Sequence, residues 1–114
     1  MNFIDTHTHL FLNQFKDDID DVIDIAIRSG ITKMFLPNIN SETTDSMLQL
    51  CEKYPGNCFS MMGLHPCDVK KETMEKELLH VEEMLEKEKF IAVGEIGLDL
   101  YWDKTTLEIQ KMAF

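Results

Sequence analysis

The chain has 114 residues, of which 44% are apolar, so its length allows one compact domain with a substantial hydrophobic core. Its 21 Asp and Glu residues against 11 Lys and Arg residues give a formal net charge of -10. This charge argues against a large basic surface for nonspecific binding of nucleic acid or of an anionic membrane. A local phosphate site is still compatible with it, because a bound divalent cation can supply positive charge where it is needed.

Cysteine usage and the absence of targeting patterns bear on the compartment. Cys51, Cys58 and Cys67 form no CxxC pair, and their odd number favours free thiols in a reducing compartment over a disulfide framework. The N-terminus lacks a basic flank, and no segment has the roughly 18 consecutive apolar residues that a membrane span needs. We therefore expect a cytoplasmic protein without an export signal or a membrane anchor.

Apolar periodicity in the first half of the chain predicts strand, helix, strand and helix. A short strand at the start of "NFIDTHTHLF" is followed by an amphipathic helix in "FKDDIDDVIDIAIRSG", which presents its Asp residues to solvent and ends at Gly30. The segment "ITKMFLPN" predicts a second, buried strand. "SETTDSMLQLCEKYPG" predicts a second helix, for which Ser41 is the expected N-cap.

The second half repeats the same order. "CFSMMGLHP" predicts a third strand, and "TMEKELLHVEEMLEKEK" predicts a helix whose inward face is Met74, Leu78, Val81 and Leu85, with His80 on the solvated surface. "FIAVGEIGLDL" predicts a fourth strand, and "DKTTLEIQKMAF" contains the start of a fourth helix.

The spacing of the strands predicts the fold class. Strands start near residues 3, 31, 58 and 90, a repeat of one βα unit, which predicts a parallel sheet. Gly-rich phosphate fingerprints are absent, and polar residues fall at the ends of several strands: His9, Asn38, His65 and Glu95. This distribution favours α/β architecture of the TIM-barrel type. An eight-stranded barrel needs about 250 residues, so we interpret residues 1–114 as the N-terminal half of one barrel, a fragment or a truncated product with an unpaired sheet edge.

Two histidines and one glutamate are the candidate metal ligands. In an extended strand His7 and His9 point the same way, so their imidazoles can share one ion. Glu95 lies among apolar residues between Gly94 and Gly97, where a carboxylate is stable only if it is paired or binds a cation. Nitrogen and carboxylate ligands suit zinc, manganese or iron, and a carboxylate bridge also suits magnesium, so the metal stays open.

The motifs "FIDTHTHL", "GLHP" and "VGEIGLD", in this order, resemble the TatD family of metal-dependent deoxyribonucleases, and the resemblance covers the whole chain. It implies a TIM barrel of the amidohydrolase type and hydrolysis of DNA phosphodiester bonds, usually as a 3'-5' exonuclease. It also implies that His7 and His9 bind one metal, and that Glu95 is the catalytic carboxylate that bridges this metal and a second one. His65 would line the pocket for the substrate phosphate.

The chain departs from the family pattern in two respects. The family's later ligands, two histidines and an aspartate, have no counterpart in these 114 residues, so the two-metal centre is incomplete and we expect feeble activity at most from this chain alone. Cys67 stands after "GLHP", where the family often has another histidine, which puts a polar contact at that position in doubt.

Several alternatives stay open at the level of sequence. The same ligands could polarise the carbonyl of an amide, a lactone or an ester, as in other amidohydrolase-superfamily enzymes. A non-catalytic half-barrel that pairs with itself or with a missing second half through its exposed edge is a third possibility. Tyr101 and Trp102 could stack on a splayed base or pack at the barrel rim, and Asp5 could be structural or could orient a ligand imidazole.

Overall fold

The computed structural model describes all 114 residues and consists of four strands that alternate with four helices. The strands form one parallel sheet in the order β1-β2-β3-β4. The strand bounds are Phe3–Asp5 (β1), Ile31–Pro37 (β2), Cys58–Met62 (β3) and Ala92–Val93 (β4). The helix bounds are Ile19–Arg28 (α1), Thr44–Lys53 (α2), Met74–Lys87 (α3) and Leu107–Ala113 (α4). Four consecutive βα units around one parallel sheet make up half of a TIM-barrel-type architecture, as the strand spacing predicts.

The hydrophobic core lies between the sheet and the helices. Alternate residues of β2 and β3 point toward the helices, so Met34, Leu36 and Met62 are buried against Ile23 of α1 and Met47 of α2. The complete set of buried core residues is Leu10, Phe11, Ile23, Met34, Leu36, Met47, Leu50, Cys58 and Met62. Helix packing on one face thus fixes which face of each strand carries the core.

The opposite face of the sheet is less covered and carries its own aromatic contact. Phe35 of β2 and Phe59 of β3 meet edge to face with ring centroids 6.0 Å apart. The ammonium group of Lys33 lies 5.9 Å from the centroid of the Phe59 ring. In a closed barrel this face points inward.

The cysteines are free thiols, as their number predicts. Burial raises the pKa of Cys51 to about 11 and that of Cys58 to about 12, so both are neutral side chains of the interior. None of the helices is both long enough and apolar enough to cross a membrane.

The prediction that Ser41 caps α2 is wrong, because the helix begins at Thr44. Asn40 forms the preceding turn: its Oδ1 accepts hydrogen bonds from the backbone N–H groups of Glu42 and Thr43. The Ser41 hydroxyl instead donates to Glu77 Oε1 of α3 at 2.7 Å, and the Ser41 N–H donates to Oε2 at 2.8 Å. Ser41 therefore ties the β2–α2 loop to α3.

Two predictions for α3 are also wrong. His80 is half-buried rather than solvated, and its Nε2 lies 2.9 Å from Thr44 Oγ1 at the start of α2. Leu85 is exposed, and the neighbouring Met84 packs against the core in its place. The helix is therefore rotated so that one polar residue faces α2, a tertiary contact that apolar periodicity alone does not register.

The fourth strand is shorter than predicted, since it comprises only Ala92 and Val93. Gly94 N still donates to Met62 O of β3 at 2.8 Å, and the chain then crosses to the end of β2, where Gly94 O accepts from Asn38 N at 3.2 Å and Glu95 N donates to Asn38 O at 3.1 Å. A Cβ at Gly63 would come within 2.7 Å of the Glu95 carbonyl oxygen, so this crossing needs a glycine there. Glu95 thus follows the strand rather than lying within it, and the sheet has two unpaired edges, β1 and β4, rather than one.

Helix α1 offers a matched test of the core. Ile23 is completely buried whereas Ile25, two residues later, is 62% exposed. We expect Ile23→Ala to lower the free energy of unfolding by about 2–5 kcal/mol, because it removes buried methyl groups and leaves a cavity. Ile25→Ala should change it by no more than about 0.5 kcal/mol. Urea denaturation followed by circular dichroism measures both, and equal losses for the two variants would contradict this packing of α1.

Candidate metal centre

Three side chains from two distant parts of the chain converge where β1 and β4 end. His7 and His9 follow β1 and Glu95 follows β4. His7 Nε2 lies 3.3 Å from His9 Nε2 and 3.0 Å from Glu95 Oε2, and His9 Nε2 lies 3.2 Å from the same oxygen. The two imidazoles point the same way, as their spacing predicts, although β1 already ends at Asp5.

The spacing of these three atoms is that of ligands around one divalent ion. Ligand atoms about 2.0–2.2 Å from a metal stand roughly 3.0–3.5 Å from one another in tetrahedral or octahedral geometry. Each residue offers one such atom, and the three lie within 4.8 Å of one another. Two imidazole nitrogens and one carboxylate oxygen are also a donor set that zinc and manganese accept. His7, His9 and Glu95 could therefore hold a metal without rearrangement.

His9 has its tautomer determined by the backbone of β2. Its Nδ1 lies 3.0 Å from the Pro37 carbonyl oxygen, and because a carbonyl can only accept, Nδ1 carries the proton. The lone pair of Nε2 is then directed toward His7 and Glu95. Burial lowers the pKa of His9 below its ordinary value despite the opposing effect of Glu95. A neutral imidazole with an available Nε2 is the form that coordinates a metal.

Asp5 stands beside this group without joining it. Its Oδ1 accepts a hydrogen bond from the backbone N–H of His7 at 3.0 Å. Of the two roles considered for Asp5, the contact corresponds to the structural one, because the carboxylate holds the backbone that carries His7 rather than a ligand imidazole.

His65 approaches the other oxygen of Glu95. It lies in the turn after β3, and its Nδ1 accepts from the backbone N–H of Cys67 at 3.0 Å. The proton therefore resides on Nε2, which lies 3.2 Å from Glu95 Oε1. Thus Glu95 Oε2 faces His7 and His9, while Oε1 faces the Nε2–H of His65. The tautomer of His65 is opposite to that of His9.

Asn38, the remaining polar residue at a strand end, has a structural role. It is fully buried, and its Nδ2 donates to the carbonyls of Asn40 and Gly63 at 3.0 and 3.1 Å. Its Oδ1 accepts from the Thr43 hydroxyl at 3.0 Å. The Asn38 side chain therefore joins the ends of β2 and β3 to the loop before α2. Sequence reasoning missed this role, as it missed the Pro37 carbonyl, because backbone acceptors leave no signal in residue identity.

Tyr101, Trp102 and Cys67 lie outside the three-residue cluster. Tyr101 and Trp102 are 81% and 79% exposed, so the packing of these rings at the rim is not observed within this chain. Cys67 is exposed and does not belong to the three-residue cluster. Partial desolvation of the thiol and, after it, the hydrogen bond to the Asp99 carboxylate raise the pKa of Cys67.

Comparison with known proteins places this chain among related sequences and structures. A family model described as "TatD related DNase" matches residues 4–114. The chain is 33% identical over 110 residues to the "Uncharacterized metal-dependent hydrolase YabD" of Bacillus subtilis. This alignment covers 96% of the chain and 42% of that protein. The chain is 34% identical over 110 residues to the "3'-5' ssDNA/RNA exonuclease TatD" of Musicola paradisiaca, again covering 96% of this chain but 41% of the relative.

A solved structure supports the same relationship. The crystal structure of YjjV, a TatD homologue from Escherichia coli K12, matches with a TM-score of 0.87 and 34% sequence identity, and the match covers 97% of this chain and 43% of that one. The chain therefore spans about two fifths of the length of the relatives that it matches. Because the family model matches nearly all of its residues, the chain belongs to the TatD related DNase family.

Proposed function

We propose that this chain contributes His7, His9 and Glu95 to a divalent-metal centre that hydrolyses phosphodiester bonds of nucleic acid and removes nucleotides from a 3' end. The observation that carries the proposal is the convergence of the two Nε2 atoms and Glu95 Oε2 within 3.0–3.3 Å of one another. Coming from segments 88 positions apart in sequence, these atoms meet only because of the fold. Their positions at the ends of parallel strands are those of active sites in TIM barrels.

Each residue has a distinct task in this proposal. His7 and His9 present their Nε2 atoms, and Glu95 presents Oε2 to the same point and Oε1 to His65. His65 Nε2–H donates to Glu95 Oε1 and so keeps the carboxylate in one orientation, and the imidazole lines the pocket that we propose for the substrate phosphate. A bound divalent cation would supply Lewis acidity for the attack of water on phosphorus.

With a net charge of -10, the chain is compatible with a phosphodiester substrate only if a local positive charge lies at the reacting group. The chain has no excess of basic residues to attract phosphate, so positive charge at the reacting group must come from a local source. A divalent ion held by two neutral nitrogens and one carboxylate retains a net positive charge. We infer that both the binding of the substrate and its hydrolysis depend on the metal.

A second candidate substrate class follows from the names of two relatives. YabD of Bacillus subtilis and YjjV of Escherichia coli are described only as uncharacterized metal-dependent hydrolases. The same ligand set can polarise an amide, a lactone or an ester carbonyl. Nucleic acid is our first candidate because other relatives are named 3'-5' ssDNA/RNA exonucleases.

Metal binding is the first prediction. We expect purified 1–114 chain to bind Mn²⁺. Loss of a hydrogen-bond partner of a metal ligand typically weakens binding by about 10- to 100-fold, and we expect Glu95→Gln and His9→Ala, which change the ligands themselves, to weaken it by more. Isothermal titration calorimetry and the electron paramagnetic resonance signal of free Mn²⁺ measure this without any substrate. Glu75→Gln, an exposed residue of α3, is the matched control. Equal affinity of the Glu95 and Glu75 variants would contradict the assignment.

The orientation of Glu95 by His65 gives the second prediction. His65→Ala should weaken Mn²⁺ binding by about tenfold, because Glu95 Oε1 loses the N–H that fixes the carboxylate. His65→Gln places an amide N–H near the position of Nε2 and should restore most of the affinity. If the Gln variant binds no better than the Ala variant, the hydrogen bond from Nε2 is not the reason for the effect.

Hydrolysis is the third prediction. With Mg²⁺ or Mn²⁺, we expect slow release of nucleotides from single-stranded DNA labelled at its 5' end, giving a ladder shortened from the 3' end. EDTA and Glu95→Gln should abolish the release, whereas Glu75→Gln should not. Release that survives EDTA or the Glu95 variant would contradict the proposal. Metal-dependent cleavage of p-nitrophenyl acetate or a lactone, with DNA left intact, would favour the second substrate class.

A further inference from the structure

The loop between β4 and α4 presents two adjacent aromatic rings to solvent. Tyr101 and Trp102 are 81% and 79% exposed. Their ring centroids are 4.8 Å apart with an interplanar angle of 86°, an edge-to-face arrangement that leaves ring faces open for a third ring. Single exposed apolar side chains are common on proteins, but two adjacent large rings form a patch of the kind that binds a partner.

The backbone on both sides of these rings is held in place. Gln110 of α4 is 1% exposed, its Oε1 accepts from Asp99 N at 2.8 Å, and its Nε2 donates to Asp99 O at 2.8 Å. After the rings, Asp103 Oδ1 accepts from the N–H of Thr105 at 2.8 Å. The aromatic pair is therefore presented by a fixed loop, which reduces the entropy lost when a ligand binds.

A continuous series of contacts connects this loop to the metal centre. Asp99 Oδ1 accepts from Tyr101 N at 2.9 Å, and the same carboxylate meets the thiol of Cys67, whose N–H donates to His65 Nδ1. His65 Nε2 in turn lies 3.2 Å from Glu95 Oε1. The backbone of the aromatic pair is thus connected to the candidate site through Asp99, Cys67 and His65.

The charges of the loop indicate which part of a nucleic acid it can accept. Hydrogen bonds from the Tyr101 N–H and the Cys67 thiol lower the pKa of Asp99, and those from Thr105 lower the pKa of Asp103. Both carboxylates are therefore charged at neutral pH and repel a phosphate. A nucleobase presents an uncharged π face, which stacks on aromatic side chains irrespective of sequence.

We propose that Tyr101 and Trp102 stack on an unpaired nucleobase of the substrate strand while the adjoining phosphodiester lies at the metal centre, an inference that rests on the proposed nucleic-acid substrate. A base within a duplex has both faces covered by its neighbours, so this surface accepts a single-stranded or frayed end. The loop therefore provides selectivity for single strands, and the metal centre provides the reaction.

The test uses Trp102, the one tryptophan of the chain, as its reporter. In Mg²⁺, the chain is titrated with an oligothymidylate whose phosphorothioate linkages resist hydrolysis, and with an abasic strand of equal length and linkage. We expect the oligothymidylate to quench Trp102 fluorescence and the abasic strand to leave it unchanged. Tyr101→Ala should weaken the binding by about tenfold, whereas Phe114→Ala, which removes an aromatic ring that is 74% exposed outside the loop, should not weaken it.

Salt provides a second readout. Stacking does not release counterions, so the ratio between wild-type and Tyr101→Ala affinities should be the same at low and high salt, whereas the affinity of each protein falls with salt. A ratio that collapses at high salt would assign the effect to phosphate contacts and overturn the proposal.

Three other results would overturn the proposal. They are equal quenching by the abasic strand, equal affinity of the Tyr101 and Phe114 variants, and quenching that follows chain concentration without any strand, which would mean that a second copy covers the rings. Metal-dependent hydrolysis without base-dependent quenching would leave the proposed function intact and remove only this surface. Base-dependent quenching without hydrolysis would support the stacking surface and contradict the proposed hydrolysis.

Discussion

Two backbone hydrogen bonds between Asn38 and the segment Gly94–Glu95 are the constraint on which the rest of the candidate site depends. They join the end of β2 to the residue after β4, past the end of β3. The crossing is open only because Gly63 has no Cβ to meet the Glu95 carbonyl, and the buried amide of Asn38 fixes the position of its own backbone. The carboxylate therefore reaches His7 and His9 from across the sheet through main-chain geometry rather than through side-chain packing.

Residue types and spacing predict most of this architecture, and the failures share one physical cause. The His-x-His spacing predicts a shared imidazole face, and the βα repeat predicts the parallel sheet, because both depend on local geometry. Ser41 and His80 are predicted wrongly since their partners, Glu77 and Thr44, lie on other elements. The fourth strand is predicted too long for the same reason, as a non-local backbone partner removes Glu95 from the ladder. Local patterns thus identify the candidate ligand residues, while tertiary contacts determine how their side chains are held.

The buried amide of Gln110 holds the loop whose two aromatic rings are exposed. Gln110 satisfies both backbone groups of Asp99 from the interior of α4, so the loop needs no apolar packing to keep its conformation. Tyr101 and Trp102 are consequently free to remain in solvent. In sequence, aromatic residues after a strand are typical of both rim packing and ligand binding, and the exposure of both rings on an anchored loop is what supports the stacking role that we propose.

Opposite tautomers of two histidines give the carboxylate of Glu95 two different sides. The Pro37 carbonyl places the proton of His9 on Nδ1, whereas the Cys67 N–H places the proton of His65 on Nε2. Oε2 consequently faces an unprotonated nitrogen, an arrangement of two acceptors that a cation stabilises, and Oε1 faces a donor that is satisfied without one. Both tautomers are determined by main-chain groups, so the asymmetry follows from the course of the backbone at the ends of β2 and β3. The cation that His7 and His9 would share is therefore expected at Oε2.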